Sequence, residues 1–167
     1  MNNLLGRLVY NIVFRNKVGF VITKPEVEVD GESKRKIMFF ITGLCCGGAE
    51  RMLEKLVINL RSYNSSYDLV VCSIVSGGEI EKSLTEKGVR VVSLGCSKPK
   101  HIFKAVWKLR QLLKREKVDV LHCFLVHANV IGRLACLGLP TRNISSNRVK
   151  TTKNDLLNHI DVITQGW

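Results

Sequence analysis

At 167 residues and 46% hydrophobic content, the chain has material for one domain with a proper core and is short for two. A mean hydropathy of +0.08 fits a soluble globular protein, and no apolar run approaches the ~18 residues of a membrane-spanning helix. The formal charge of +12 favours anionic partners, namely nucleic acid, acidic lipid headgroups or phosphorylated substrates.

Residues 1–35 read as an N-terminal extension and linker. Leu4, Leu5, Leu8, Val9, Ile12 and Val13 recur at helical spacing with Arg7, Asn11 and Arg15 off the stripe. That pattern suits an amphipathic helix on a membrane surface or an extra helix packed on the domain. Pro25 to Lys36 is acidic and lacks a core pattern, as a linker does. The domain proper is expected over 36–167. It begins with five apolar residues, Ile37-Met38-Phe39-Phe40-Ile41, which suit a central strand covered on both faces. A loop, Thr42 to Gly48, leads to a helix carrying Met52, Leu53, Leu56, Val57 and Leu60 on one face.

The pattern then repeats. Leu69 to Val75 predicts a second strand, broken by Gly77-Gly78, and Glu79 to Lys87 a short helix ended by Gly88. Val89 to Leu94 predicts a third strand. His101 to Lys117 follows as a helix with Ile102, Val106, Leu109 and Leu113 inward. Val118 to Phe124 predicts a fourth strand, His127 to Leu137 a helix around Val130, Ile131 and Leu134, and Asn143 to Ser146 a short fifth strand. Beyond it, Asn154 to Asn158 suggests a helix and His159 to Thr164 a sixth strand, after which the chain stops as if in mid-domain. Strands alternating with helices at this spacing predict βαβ units in a Rossmann-like α/β domain with a parallel sheet. Right-handed crossovers would line the loops after each strand along one ligand-binding edge.

Of six cysteines, Cys72, Cys96, Cys123 and Cys136 lie in or beside apolar segments, Cys45-Cys46 are adjacent, and no Cys-x-x-Cys pair occurs. Reduced thiols in a cytoplasmic protein, with no bound metal, are expected.

Three features carry chemistry. The first is the glycine loop. Gly43 and Gly48 have P-loop spacing, but Ala49-Glu50 stand where the phosphate-gripping lysine and the magnesium-binding hydroxyl belong. A dinucleotide fingerprint fails on spacing and on the Val75-Ser76 strand end. What remains is Gly47-Gly48 at a helix N-terminus with Glu50 in its first turn. It is either an anion cradle or a tight packing turn whose glutamate complements the helix dipole. The second is His122, His127 and Asn129 around the end of the fourth strand, able to contact a phosphate or sugar hydroxyl or to take a proton near neutral pH. Each is otherwise a structural residue. The third is basic: Lys100, Lys104, Lys108 and Arg115 share a helix face near Trp107, for solvent or for anionic phospholipid. Nucleic acid is not expected, given no reader motif and only 7% aromatic residues for stacking.

The segment Lys36 to Arg51, with Gly-Gly-Ala-Glu at Gly47–Glu50, resembles the opening of family 4 glycosyltransferases, which have the GT-B fold. The resemblance continues through Gly88–Val91, Val118–His122, His127–Ala135, Gly138-Leu139-Pro140 and Ser145-Ser146, so it spans about residues 36–150. It implies retaining transfer of a sugar from a nucleotide-sugar to a glycan or lipid-linked acceptor, without a metal; the location expected is cytoplasmic, with the basic helix suited to peripheral contact at the inner face of a membrane. By the same resemblance the domain is the N-terminal, acceptor-side half, and a C-terminal half grips the donor. Gly47 and Gly48 would then line the cleft near the donor phosphates or the transferred sugar, with Glu50 in the same acceptor or donor-phosphate binding group, and His122, Asn129 and Asn147 on the acceptor side. His127 and Arg148 would be catalytic candidates. Many members carry a histidine in the loop after the fifth strand, where this chain has Asn147-Arg148. A chain of this extent is expected to be inert alone, as a truncated product or half of a split enzyme completed by a partner chain. The alternative is a non-catalytic basic module that docks on anionic membrane or on a partner chain.

Overall fold

A computed structural model of the chain describes residues 34–63, 66–96 and 101–146. Among these, strands and helices alternate as β1 (Arg35–Ile41), α1 (Gly48–Tyr63), β2 (Tyr67–Ser73), α2 (Glu79–Glu86), β3 (Arg90–Ser93), α3 (Ile102–Glu116), β4 (Val120–Phe124), α4 (Val126–Cys136) and β5 (Arg142–Ser146). The expected extension before Lys34, and the helix and strand expected after residue 150, lie outside the described residues.

All strand pairings are parallel, in the order β3-β2-β1-β4-β5. The central position of β1 follows from its sequence. Only a strand with neighbours on both sides and helices on both faces can bury Met38, Phe39, Phe40 and Ile41 together. Their side chains alternate between two cores. Met38 and Phe40 join Leu109, Leu113, Ala128 and Ile131 from α3 and α4. Phe39 and Ile41 join Leu53, Val57, Ile80 and Leu84 from α1 and α2. Each fully buried aliphatic or aromatic side chain contributes roughly 1.5–3 kcal/mol.

The elements match the predicted ones to within about two residues, as termini usually do. The largest difference is β2, which runs Tyr67–Ser73 rather than to Val75. β1 has already ended there, so the Ile74 and Val75 N–H groups bond instead to the carbonyls of Ile41 and Thr42 at the start of the loop. On α3, Ala105 and Leu112 join Leu109 and Leu113 in the core, while Ile102 and Val106 are only partly buried.

Helix α4 lies unusually close to β4. A Cβ at Gly132 would collide with the Cys123 sulfur, so only glycine permits the approach. At the amino edge of the sheet, Glu116 gathers Arg90 (2.7 and 2.9 Å) and Lys36 (3.4 Å), tying the end of α3 to β3 and β1. The order β3-β2-β1-β4-β5 reverses direction between β1 and β4. The loops leaving those two strands therefore part at the carboxyl edge, which is where open α/β sheets bind ligands.

Candidate active site

One wall of that crevice is the loop from Thr42 to Gly47. Leu44 is fully buried, and its carbonyl accepts the Ile80 N–H at 3.1 Å, which fastens the loop to the first turn of α2. Gly78 makes this contact possible. Its φ is 135°, and a Cβ there would strike the Leu44 carbonyl. Cys46 adds a second tie, its thiol donating to the Glu79 carboxylate at 2.7 Å. That hydrogen bond holds the Cys46 pKa above its ordinary value.

Pinned in this way, the loop delivers the chain into α1 with Gly47 half-buried and Gly48 exposed. The first helical bond runs from the Arg51 N–H to the Gly47 carbonyl at 3.0 Å. The N–H groups of Gly48, Ala49 and Glu50 thus precede the helical ladder, at the positive end of the helix dipole. Among the described residues, no atom beyond its chain neighbours and the helix's own backbone lies within 4 Å of where a Gly48 Cβ would project, so the space beside Gly48 is free. Gly47 differs, because the Glu50 carboxylate folds back into the space a Cβ would take. Glu50 thus complements the helix end over Gly47, as a packing turn would have it, while the space beside Gly48 stays clear.

The facing wall is β4 and the turn after it. β4 pairs with β1 so that His122 lies beside Phe39 and Phe124 beside Ile41. The His122 ring stacks on Phe124 (centroids 4.3 Å apart) and its Nε2 lies 2.8 Å from the Ser146 hydroxyl of β5. On the same face of β5, beside His122, Ile144 is 46% exposed, so this part of the sheet is not covered by described residues. Leu125 makes the turn into α4 with φ 74° and ψ 154°, a region otherwise occupied almost only by glycine. His127 follows in the first turn of α4 and is exposed.

The remaining sequence candidates divide. Asn129, expected at the ligand-facing edge, is fully buried at the β4–α4 junction. Asn147 and Arg148 lie outside the described residues, as does Lys100. Lys104 is exposed and the Arg115 side chain is 71% exposed, whereas Lys108 turns back to donate to the Leu94 carbonyl at 2.5 Å. The structure thus brings the glycine loop, His122 and His127 to the two sides of one switch point, and sets the basic helix on the α3 face. Sequence reasoning missed Leu44 and Gly78 as the brace of the loop, and Ser146 as the partner of His122. An apolar Leu44 among glycines and thiols was the available signal for the first. Nothing local signals the second, since 24 residues separate the pair.

The model of Glycosyltransferase Family 4 matches residues 46–146, from the glycine loop to the end of β5. The chain belongs to glycosyltransferase family 4. Among solved structures it is similar to the glycosyltransferase from Rickettsia africae ESF-5, with a TM-score of 0.53 and 13% identity over 66% of this chain and 29% of that one. It is also similar to MurG from Acinetobacter baumannii, with a TM-score of 0.57 and 16% identity over 75% of this chain and 39% of that one. At such identities these two likenesses establish the fold, a Rossmann-like domain of the GT-B type. The chain spans well under half the length of either structure. No curated protein matches. Within this glycosyltransferase domain, the family match begins at Cys46 and so includes the N-terminus of α1 at Gly48.

Proposed function

We propose that this glycosyltransferase domain forms the acceptor-side half of an enzyme that moves a sugar from a nucleotide-sugar to a hydroxyl acceptor on a glycan or lipid carrier. The observation that carries the reading is the N-terminus of α1 at the switch point, where the N–H groups of Gly48, Ala49 and Glu50 precede the helical ladder and the space beside Gly48 is free. A departing nucleoside diphosphate develops negative charge, and pre-oriented N–H donors at a helix end stabilise that charge without reorganising. His127, exposed in the first turn of α4, is the group placed to orient or deprotonate an acceptor hydroxyl. His122, braced by Ser146 and stacked on Phe124, shapes the acceptor side.

This half supplies one wall of a cleft. Gripping the donor base and excluding water require a second domain, carried in cis or by a partner chain. Family membership supports a retaining outcome and transfer without a bound metal.

The test uses the full chain, labelled for NMR and titrated with pyrophosphate, then with a panel of nucleoside diphosphate sugars. Amide shifts concentrated at Gly47 to Arg51 are expected, with no sugar transfer by the chain alone. Shifts scattered elsewhere would remove the site, and robust transfer by the chain alone would remove the need for a second domain.

A further inference from the structure

Helix α3 has an outward face that is neither polar nor buried. Phe103 is 83% exposed and Trp107 is 61% exposed. Four residues apart on a helix, they stand one above the other on the side opposite the buried Ala105, Leu109 and Leu112. Burying Trp and Phe is among the larger gains open to a chain, so leaving two on one outward stripe marks an interaction surface.

The charges around the stripe say what covers it. Lys104 and Lys114 flank it, both exposed and neither in a salt bridge among the described residues. Arg115 is a further exposed cation on the same side. The only acid on α3 is Glu116, which is 10% exposed and engaged chiefly by Arg90, with Lys36 and the largely exposed Arg115 each at 3.4 Å. An open groove between this helix and β3 is lined by Ser93, Trp107, Gln111, Lys114 and Arg115, with the Lys108 amine held by the Leu94 carbonyl on its floor.

We propose that the outward face of α3 docks on an anionic lipid bilayer, with Phe103 and Trp107 entering the headgroup region and Lys104, Lys114 and Arg115 meeting lipid phosphates. Aromatic rings favour that layer because it accommodates an apolar body beside water, and cations favour it because the surface potential is negative. No helix among the described residues is long and apolar enough to cross a membrane, so the contact lies on the surface. Phe103 is at the end of α3 that meets the carboxyl edge of the sheet, so docking holds the glycine loop close to the headgroups. The surface is separate from the Gly48 helix end, and the inference stands without the transferase reading.

The experiment uses the full chain carrying Trp167→Phe, which leaves Trp107 as the single tryptophan. It is mixed with phosphatidylcholine vesicles with and without phosphatidylglycerol. Emission from Trp107 is expected to shift to the blue and to be shielded from an aqueous quencher only with phosphatidylglycerol present, and salt should reverse both effects. Lys104→Gln with Lys114→Gln should weaken binding about 25-fold, at about fivefold per cation. Phe103→Ser, at an exposed position, should weaken it with an unchanged circular dichroism spectrum. Binding with unshifted Trp107 emission would mean that another segment docks, and would overturn the proposal. So would equal binding to both vesicle types, or burial of Trp107 by duplex DNA or by a second protein but not by vesicles.

Discussion

Gly48→Asp separates an anion site from a packing turn, because the two predict opposite effects on stability and on binding. The residue opens α1, has no positive φ, and leaves its Cβ direction empty to 4 Å. Replacing a helical glycine saves about 0.5–1 kcal/mol of backbone entropy. A carboxylate in the first turn adds ~0.3–1 kcal/mol through the helix dipole. Repulsion from the nearby Glu50 carboxylate removes part of this, so the melting temperature should stay level or rise by roughly 2–4 °C. An anion bound to the same N–H groups would lie about 4 Å from the new charge, a repulsion of about 4 kcal/mol at an effective dielectric constant of about 20. Exposure and salt reduce that to about 1–2 kcal/mol, or about 5–30-fold in affinity. Thermal unfolding, alongside pyrophosphate titration followed by amide shifts, reads both quantities. Gly48→Asn, equal in size and uncharged, should keep most of the binding. A drop of several degrees, or unchanged pyrophosphate binding by the aspartate variant, would refute the reasoning.

Glu116 is held far below the usual carboxylate range, to about 2, chiefly by its hydrogen bonds to Arg90. Its folded pKa is depressed, so its contribution is present above about pH 4.5 and is lost as pH falls toward about 2. Arg90 is half exposed and partly screened, which leaves about 1–2 kcal/mol. Glu116→Gln should cost that amount at pH 7 and flatten the acid limb of a urea-midpoint profile; an unchanged profile would exclude the linkage. Gly78→Ala forces a Cβ onto the Leu44 carbonyl at a φ that alanine rarely adopts, and should destabilise by about 2–4 kcal/mol. Amide exchange would show the loss at Ile80, whose N–H bonds that carbonyl, and protection equal to wild type would contradict the brace. Gly132→Ala should cost about 1–3 kcal/mol through overpacking against Cys123. Because one sulfur causes the collision, Cys123→Ala in the same chain should recover part of the loss, and strict additivity would deny the contact.

The alternation of strand and helix was legible because it is written in short-range periodicity. Five apolar residues bounded by glycines can satisfy their backbone groups and bury both faces only as a central strand, and Ile37–Ile41 lies within β1. Leu53 and Val57 likewise declared the inward face of α1 through spacing alone. The glycine loop and its helix were legible for the same reason, since a tight turn and a helix start are local events. Asn129 marks where this reasoning stops. Its position beside the ligand edge follows from topology, but its burial depends on how α4 settles against β4, which the close approach of Gly132 on the helix to Cys123 on the strand sets.

The sequence by itself determined that this chain builds a parallel α/β sheet and that a helix tip follows its central strand. Tertiary structure alone decided that the space beside Gly48 stays free while Glu50 covers Gly47, and that Leu44 and Gly78 clamp the loop. It alone decided that Lys108 turns inward while Phe103 and Trp107 face out. Periodicity names the face a residue occupies; what that face meets depends on contacts between residues far apart in the chain, and no local pattern encodes them.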